Sequence, residues 1–179
     1  MCGQQQRREG YCRRLIAKRG SDTEKKAKIM MQERQDSYSA HLTEQWPWEK
    51  IAPYKEALNA AVKKYAQRFP DDVCLEKIAE EITTGQAQLW LVLKNKIQFS
   101  AFAITKVEIT HTGKKCVVLL DLAGEGGLKL VKLIDKVEKW ARKTNAEEIH
   151  LFGRTGWEKK LAQYGYSRNL IQYRKVLIP

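Results

Sequence analysis

The sequence contains no long apolar run. A helix that spans a membrane needs about 20 consecutive apolar residues, and no stretch of this chain approaches that length. The basic N-terminus is also not followed by the apolar core of a signal peptide. We therefore expect a protein that has no membrane span and is not secreted through a signal peptide.

Cysteine and histidine are scarce and widely spaced. They form no C-x-x-C pair and no spacing typical of metal ligands, which argues against a zinc site and a disulfide framework. No nucleophile elbow surrounds a serine or a cysteine. We predict no metal site and expect reduced thiols. The residues are Cys2, Cys12, Cys74, Cys116, His41, His111 and His150.

Acidic residues are in deficit. The chain has 33 lysines and arginines against 21 aspartates and glutamates, which gives a net charge of +12. Such an excess favours contact with nucleic acid, an acidic protein or an anionic surface, although solvated surface lysines produce the same charge. The sequence has neither an RNP-like aromatic strand nor a recognition-helix pattern. Any contact with nucleic acid would therefore not depend on the base sequence of the nucleic acid.

Residues 1–20 differ from the rest of the chain. They are basic, contain a single acid, Glu9, and have few large apolar side chains. Such a stretch buries too little surface to order itself, which predicts an arm that is either held by a partner or remains mobile. The basic residues that would bind a polyanion or another partner are Arg7, Arg8, Arg13, Arg14, Lys18 and Arg19.

A helix is predicted to follow the arm. Ser21 with Glu24 three residues later forms a capping box, and the helix would continue to about Leu42 with a thin apolar stripe. We therefore assign residues 1–45 to a docking extension and residues 46–179 to a compact domain.

Hydrophobic periodicity predicts the order of elements in the compact domain. The pattern is helix, helix, three antiparallel strands, a glycine turn, a long helix, a strand, a short helix and a final strand. The first two helices begin near Pro53 and Asp71. The strands of the meander are Ala87–Leu93, Ile97–Thr110 and the apolar run from Cys116. The next strand is Glu147–Phe152, Thr155 caps the short helix, and the strand Ser167–Ile178 closes the sheet.

The turn Gly124-Glu125-Gly126-Gly127 lies between a buried strand and the long helix. The apolar face of that helix is formed by Leu130, Val131, Ile134, Val137 and Ala141. Glycines let the backbone bend without Cβ clashes and leave N–H groups free at the positive end of the helix. This geometry can hold an anion, although many α/β proteins have such a turn and bind nothing there.

This element order resembles the GNAT superfamily of acyl-CoA-dependent N-acyltransferases over residues 46–178. The stretch Trp157–Tyr166 is similar to the family's short helix ending in Tyr-Gly-aromatic, and Gly153-Arg154-Thr155-Gly156-Trp157 resembles GNAT-like proteins of tailed phages. The resemblance implies an α/β fold with a mixed sheet that contains an antiparallel meander. The family's first strand precedes the first helix, and here only Ile51 and its tryptophan neighbours could supply it, so we expect that strand to be short or lost.

The resemblance also implies a site for the CoA pyrophosphate. The family's turn is Gln/Arg-x-x-Gly-x-Gly/Ala, and Asp121-Leu122-Ala123-Gly124-Glu125-Gly126 occupies that register. If CoA binds, Gly124, Gly126 and Gly127 would hold its phosphates. Two carboxylates would then lie near a polyanion, so they either swing into solvent or one of them caps the helix in place of a ligand.

The catalytic residues implied by the resemblance are incomplete. Leu161 stands where many family members have the tyrosine that protonates the departing thiolate, and Tyr164 and Tyr166 are the available substitutes. As proton acceptors the sequence offers Glu108 and Asp121, and either needs its pKa raised by burial. We therefore assign no catalytic residue.

Two functions remain. The first is a catalytically degenerate GNAT-like domain without a cofactor, acting as a structural or binding component. The phage-like resemblance implies that it is associated with a virion, located there or in the host cytoplasm, and docked through its basic arm on other virion proteins. The alternative is an acetyl-CoA-dependent N-acyltransferase acting on an amine.

Overall fold

One mixed sheet organises the part of the chain that the computed structural model describes, residues 36–71, 73–153 and 155–169. Within these residues five strands lie in the spatial order β1-β2-β3-β4-β5. The first three pairings are antiparallel, and β4 pairs with β5 in parallel. The strands are β1 Tyr38–Leu42, β2 Ala87–Lys94, β3 Gln98–Ile109, β4 Lys115–Gly124 and β5 Glu148–Leu151.

Helices cover both faces of this sheet. Those of the first layer precede β2, and those of the second follow β4. The α-helices are α1 Trp48–Ile51, α2 Lys55–Arg68, α3 Leu75–Thr83, α4 Ile134–Lys143 and α5 Glu158–Ala162, and the 3₁₀ segments are Ala52–Tyr54, Gly127–Leu133 and Thr155–Trp157. None of the described helices is long and apolar enough to cross a membrane.

Alternation along the strands divides the core into two layers. Phe102 and Ile104 of β3 pack against α2 and α3. Ala103, between them, packs on the other face with Val137 and Ala141 of α4. Side chains of a strand point to opposite faces in turn, so one strand supplies both layers. The predicted antiparallel meander is confirmed.

The first strand corrects two predictions. The helix predicted to reach Leu42 is wrong at its end, because Tyr38–Leu42 forms β1 and pairs with β2 from Tyr38↔Lys94 to Leu42↔Trp90. The compact unit therefore begins at Tyr38, inside the segment assigned to the extension. The strand before the first helix, expected from Ile51 and its tryptophan neighbours, is instead β1 with five residues, and Ile51 lies in α1. Pairing to a sheet edge outweighed the weak helical pattern because Ala40 and Leu42 also pack against the core.

Other predictions hold in part. The long helix begins as a 3₁₀ segment at Gly127 and becomes α-helical only at Ile134. The predicted cap by Thr155 is absent, since α5 begins after Trp157 without a side-chain cap. Cys116 is buried and Cys74 is exposed, and both are free thiols. The basic arm with its six named residues, and residues 170–178 of the predicted last strand, lie outside the described residues.

A bulge in β4 positions the site. The register runs from Thr105↔Leu119 to Ile104↔Asp121, so Leu120 is an extra residue on β4. The pairing with β5 ends at the same place, at Leu119↔Leu151. A bulge bends the strand that carries it, and beyond Leu119 the two parallel strands separate.

Replacing Thr105 by valine should destabilise the core. Thr105 is fully buried at 0% exposure, and its Oγ1 accepts a hydrogen bond from the Trp90 indole N–H at 3.0 Å. Valine has the same shape but leaves this buried donor unpaired, which costs about 1–3 kcal/mol. Urea unfolding of Thr105→Val should show that loss. The control, Thr112→Val in an exposed turn, should change stability by about 0.5 kcal/mol or less; equal losses in both variants would contradict the assignment.

Candidate functional site

A cleft of about 2010 Å³ opens where β4 and β5 separate. Its floor is the end of β4, Leu119–Gly124, and one wall is formed by α2 and α3. The other wall is formed by β5 and the loop that follows it, Ile149–Gly153. Because β5 no longer pairs with β4 beyond Leu119, the β4 backbone in the cleft pairs with β3 on one side and with no strand of the described residues on the other.

Asp121 lies on the floor of this cleft. The Tyr65 hydroxyl on α2 donates a hydrogen bond to Asp121 Oδ1 at 2.6 Å. Burial raises the pKa of Asp121, the hydrogen bond from Tyr65 opposes that rise, and the negative charge of Glu81 adds to it. The net result is a carboxylate that binds a proton more tightly than an exposed aspartate does.

Glu81 extends this polar group along the wall of the cleft. Its Oε1 lies 3.0 Å from Lys106 Nζ, and the two side chains are only 14% and 28% exposed. The Glu81–Lys106 pair joins α3 to β3 beside the proton-binding group. The ion pair holds Glu81 in place on this wall, and the charge of Glu81 contributes to the raised pKa of Asp121.

The glycine turn has the backbone conformation that the sequence predicts. Gly124 and Gly126 have φ values of +137° and +118°. The Glu125 amide donates to the Ser100 carbonyl, and the Ser100 hydroxyl donates to the Glu125 carbonyl, both at 2.8 Å. Among the described residues, the amides of Gly126, Gly127 and Leu128 have no hydrogen-bond partner. These three donors at a helix start can bind an anion.

Neither carboxylate caps the helix. The residue before the 3₁₀ segment is Gly126, which has no side-chain cap, Asp121 is bonded to Tyr65, and Glu125 is exposed. The alternative in which an acidic side chain fills the helix end is therefore wrong. Gly124 pairs with Ala101 in the sheet, so it shapes the turn, while the later glycines present the free amides.

The residues considered for the acid, Leu161, Tyr164 and Tyr166, pack in one hydrophobic cluster. Leu161 is buried at 7% exposure and packs with Val131 and Ile134, and Tyr164 lies against the same cluster. The Tyr166 hydroxyl donates to Glu138 Oε1 at 3.2 Å. Burial, together with the charge of Glu138, raises the pKa of Tyr166 well above its ordinary value. The Tyr166 hydroxyl therefore connects the segment after α5 to α4, and it is a poor proton donor.

The two predicted proton acceptors differ. Glu108 is exposed near the end of β3, opposite Cys116, whereas Asp121 is partly buried in the cleft.

Tyr65 and Glu81 were missed as site residues because the helical pattern assigned Tyr65 to the core. A tyrosine instead of a phenylalanine on an apolar face is the signal that could have found it, since a buried hydroxyl needs a partner. No group of metal-ligating side chains occurs among residues 36–71, 73–153 and 155–169.

Adding a methyl group at Gly124 should disrupt the turn. A Cβ there would lie 2.4 Å from Ala101 Cα and from the Ser100 carbonyl oxygen. Gly113 is the matched control, because its φ is also positive, +83°, but its Cβ would meet nothing within 4 Å. Gly113→Ala should lose about 1–2 kcal/mol from the backbone conformation alone, and Gly124→Ala should lose clearly more in urea unfolding. Equal losses would show that the turn is not packed against β3.

Comparison with known proteins identifies the fold. No protein-family model and no curated protein sequence matches the chain. The glucosamine-6-phosphate N-acetyltransferase of Arabidopsis thaliana matches with a TM-score of 0.56 and 12% identity, covering 79% of this chain and 99% of that one. An acetyltransferase of Trypanosoma brucei gives 0.53 and 12%, covering 79% and 100%. A predicted acetyltransferase of Clostridium acetobutylicum, solved with acetyl-CoA, gives 0.52 and 13%, covering 80% and 96%.

Identities this low show the fold alone. The descriptions of these three structures name no phage protein, so the phage-like resemblance stays a prediction. The predicted fold class is confirmed: the chain has the mixed α/β fold of GNAT-type acetyltransferases.

Proposed function

We propose that the chain binds an acyl-CoA in the cleft between β4 and β5 and transfers the acyl group to an amine. The observation that carries the proposal is the placement of a proton acceptor and an anion cradle on one strand end. Asp121 lies in the cleft, and the free amides of Gly126 and Gly127 follow it at the end of the same strand. The three solved acetyltransferases share the fold that builds this cleft.

The residues fit an acyl-CoA. The amides of Gly126, Gly127 and Leu128 would hold its phosphates. The side of β4 that β5 leaves unpaired after Leu119 would hydrogen-bond to the amide groups of the pantetheine arm. Glu125 is exposed, so its carboxylate can point into solvent and stay away from the phosphates. The bound group supplies an acyl carbon activated as a thioester.

Asp121 supplies the proton chemistry. At neutral pH an alkylamine is an ammonium ion without a free lone pair, and it must lose a proton before it can attack a carbonyl. Asp121 accepts that proton, and its raised pKa makes the transfer less unfavourable than it would be to an exposed carboxylate. Attack and acyl transfer leave an amide, and the second proton released by the nitrogen balances the thiolate that departs. Leu161 offers no donor to speed this last step.

A second function is favoured by the same departures from the family's pattern. Leu161 replaces a hydroxyl with a core side chain, and the Tyr166 hydroxyl is bonded to Glu138. A domain with these features could bind without transferring an acyl group, and this is the structural role predicted from the sequence. Docking through the basic arm and association with a virion would accompany that role, and both rest on the charge and the resemblance alone.

Acetyl-CoA should raise the melting temperature of the full chain by several degrees. A ligand at 100 times its Kd stabilises the native state by about 2.7 kcal/mol, and a protein of this size gains roughly 2–4 °C per kcal/mol. Asp121→Asn should keep that shift, because its side chain is not part of the cradle, but should release CoA thiol much more slowly when amines are supplied. Glu44→Gln, which changes an exposed carboxylate in the turn after β1 that does not line the cleft, is the control and should behave as the wild type.

The outcomes separate the two functions. A panel of amines, such as a lysine peptide, a polyamine and an amino sugar, should include at least one that releases thiol in proportion to enzyme. A shift in melting temperature without release for any amine would favour the binding function. No shift at millimolar acetyl-CoA would exclude the acyltransferase.

A further inference from the structure

We propose that Tyr65 is a positioning residue for Asp121: its hydroxyl holds Oδ1 and leaves Oδ2 as the oxygen that receives the proton. The inference rests on the proposed function for its catalytic meaning, although the contact itself belongs to the fold. The contact joins residues 56 positions apart, on α2 and on β4, at 2.6 Å between Tyr65 Oη and Asp121 Oδ1. It is a direct link between the helical layer and the floor of the cleft.

The ring of Tyr65 is fixed from two sides. Its centroid lies 5.1 Å from that of Phe69 in a tilted arrangement and 6.0 Å from that of Phe102 in an edge contact at 88°. Phe102 is 1% exposed and belongs to the core between the sheet and α2. Aromatic pairs in tilted and edge-to-face arrangements stabilise each other beyond the area that they bury. The hydroxyl is therefore presented to Asp121 at a position set by the core and not by solvent.

The chemical nature of the partner matters as much as its position. An arginine or lysine at this distance would hold the carboxylate ionised and lower its proton affinity by a large amount. A tyrosine is neutral and donates a single hydrogen bond, so it orients the carboxylate and lowers its pKa less than a cation would. Burial still dominates, and the pKa of Asp121 remains raised. An oriented carboxylate with a raised proton affinity is what proton acceptance from an ammonium group requires.

The charged side chains near Asp121 do not take over the role of the hydrogen bond from Tyr65. Glu81 on α3 faces it with a negative charge and is itself paired with Lys106 on β3. The other titratable side chains that line the cleft from α2, α3, β3, β5 and the turn are Lys64, Arg68, Lys77, Glu108, His150 and Glu125. The causes of the pKa shift of Asp121 are burial, the hydrogen bond from Tyr65 and the charge of Glu81, in that order of size. Of these causes, the hydrogen bond from Tyr65 is the one that favours the ionised form of Asp121. Removing the Tyr65 hydroxyl should therefore raise the pKa of Asp121.

Tyr65→Phe keeps the ring and removes the hydroxyl. Because the hydrogen bond lowers the pKa of Asp121, its loss should raise that pKa further. The titration of the Asp121 carboxyl carbon, followed by carbon-13 NMR on the full chain and assigned by its disappearance in Asp121→Asn, should move to higher pH. The acidic limb of kcat/KM should move in the same direction, and kcat on its plateau should fall because Oδ2 is no longer oriented.

Tyr166→Phe is the matched control. It also removes one tyrosine hydroxyl bonded to a carboxylate, that of Glu138, and should leave the Asp121 titration unchanged. An Asp121 titration that is the same in Tyr65→Phe and wild type would overturn the inference, as would a fall in kcat with an unmoved pH profile. If the titration moves but acetyl-CoA is neither bound nor consumed, the Tyr65–Asp121 coupling stands and the proposed acyltransferase is wrong.

Discussion

One extra residue in β4 determines where the acidic group of the cleft lies. Leu119 and Leu122 both pack in the layer beneath α4, although they are three positions apart and a regular strand would place them on opposite faces. The bulge at Leu120 removes this conflict and turns Asp121 toward α2. β5 stops pairing at the same level. The bulge that opens the cleft therefore also places the Asp121 carboxylate inside it.

Two polar groups lie along one strand of the cleft. At the turn, free backbone amides lie at the start of the helical segment, an arrangement that favours anions. At the bulge, Asp121 lies beside Glu81, which is paired with Lys106. Both groups occur in a chain whose net charge is +12, so they form a local arrangement that the overall charge does not reveal.

The parts of the fold that followed from the sequence are those in which one pattern dominates. The strands β2, β3 and β4 have apolar runs bounded by turn residues, and α2 and α3 have regular apolar faces, so each was predicted close to its observed bounds. β1 was not, because Tyr38–Leu42 has too few apolar residues to show a strand pattern by itself. Its stability comes from pairing with β2, a contact between residues about 50 positions apart that no local pattern contains.

The sequence by itself determined the fold class, the glycine turn and the absence of a tyrosine at position 161. It left Asp121 as one of two acidic candidates and Tyr65 as a core residue. The tertiary structure shows how the two differ, because burial and hydrogen bonding depend on neighbours that are distant in the chain: Asp121 is partly buried and bonded to Tyr65, and Glu108 is exposed. It also showed that neither Asp121 nor Glu125 caps the helix start, because Asp121 turns toward Tyr65 and no side-chain cap is present at Gly126. A bulge shifts every following side chain to the other face, and only the paired strand shows where that shift occurs.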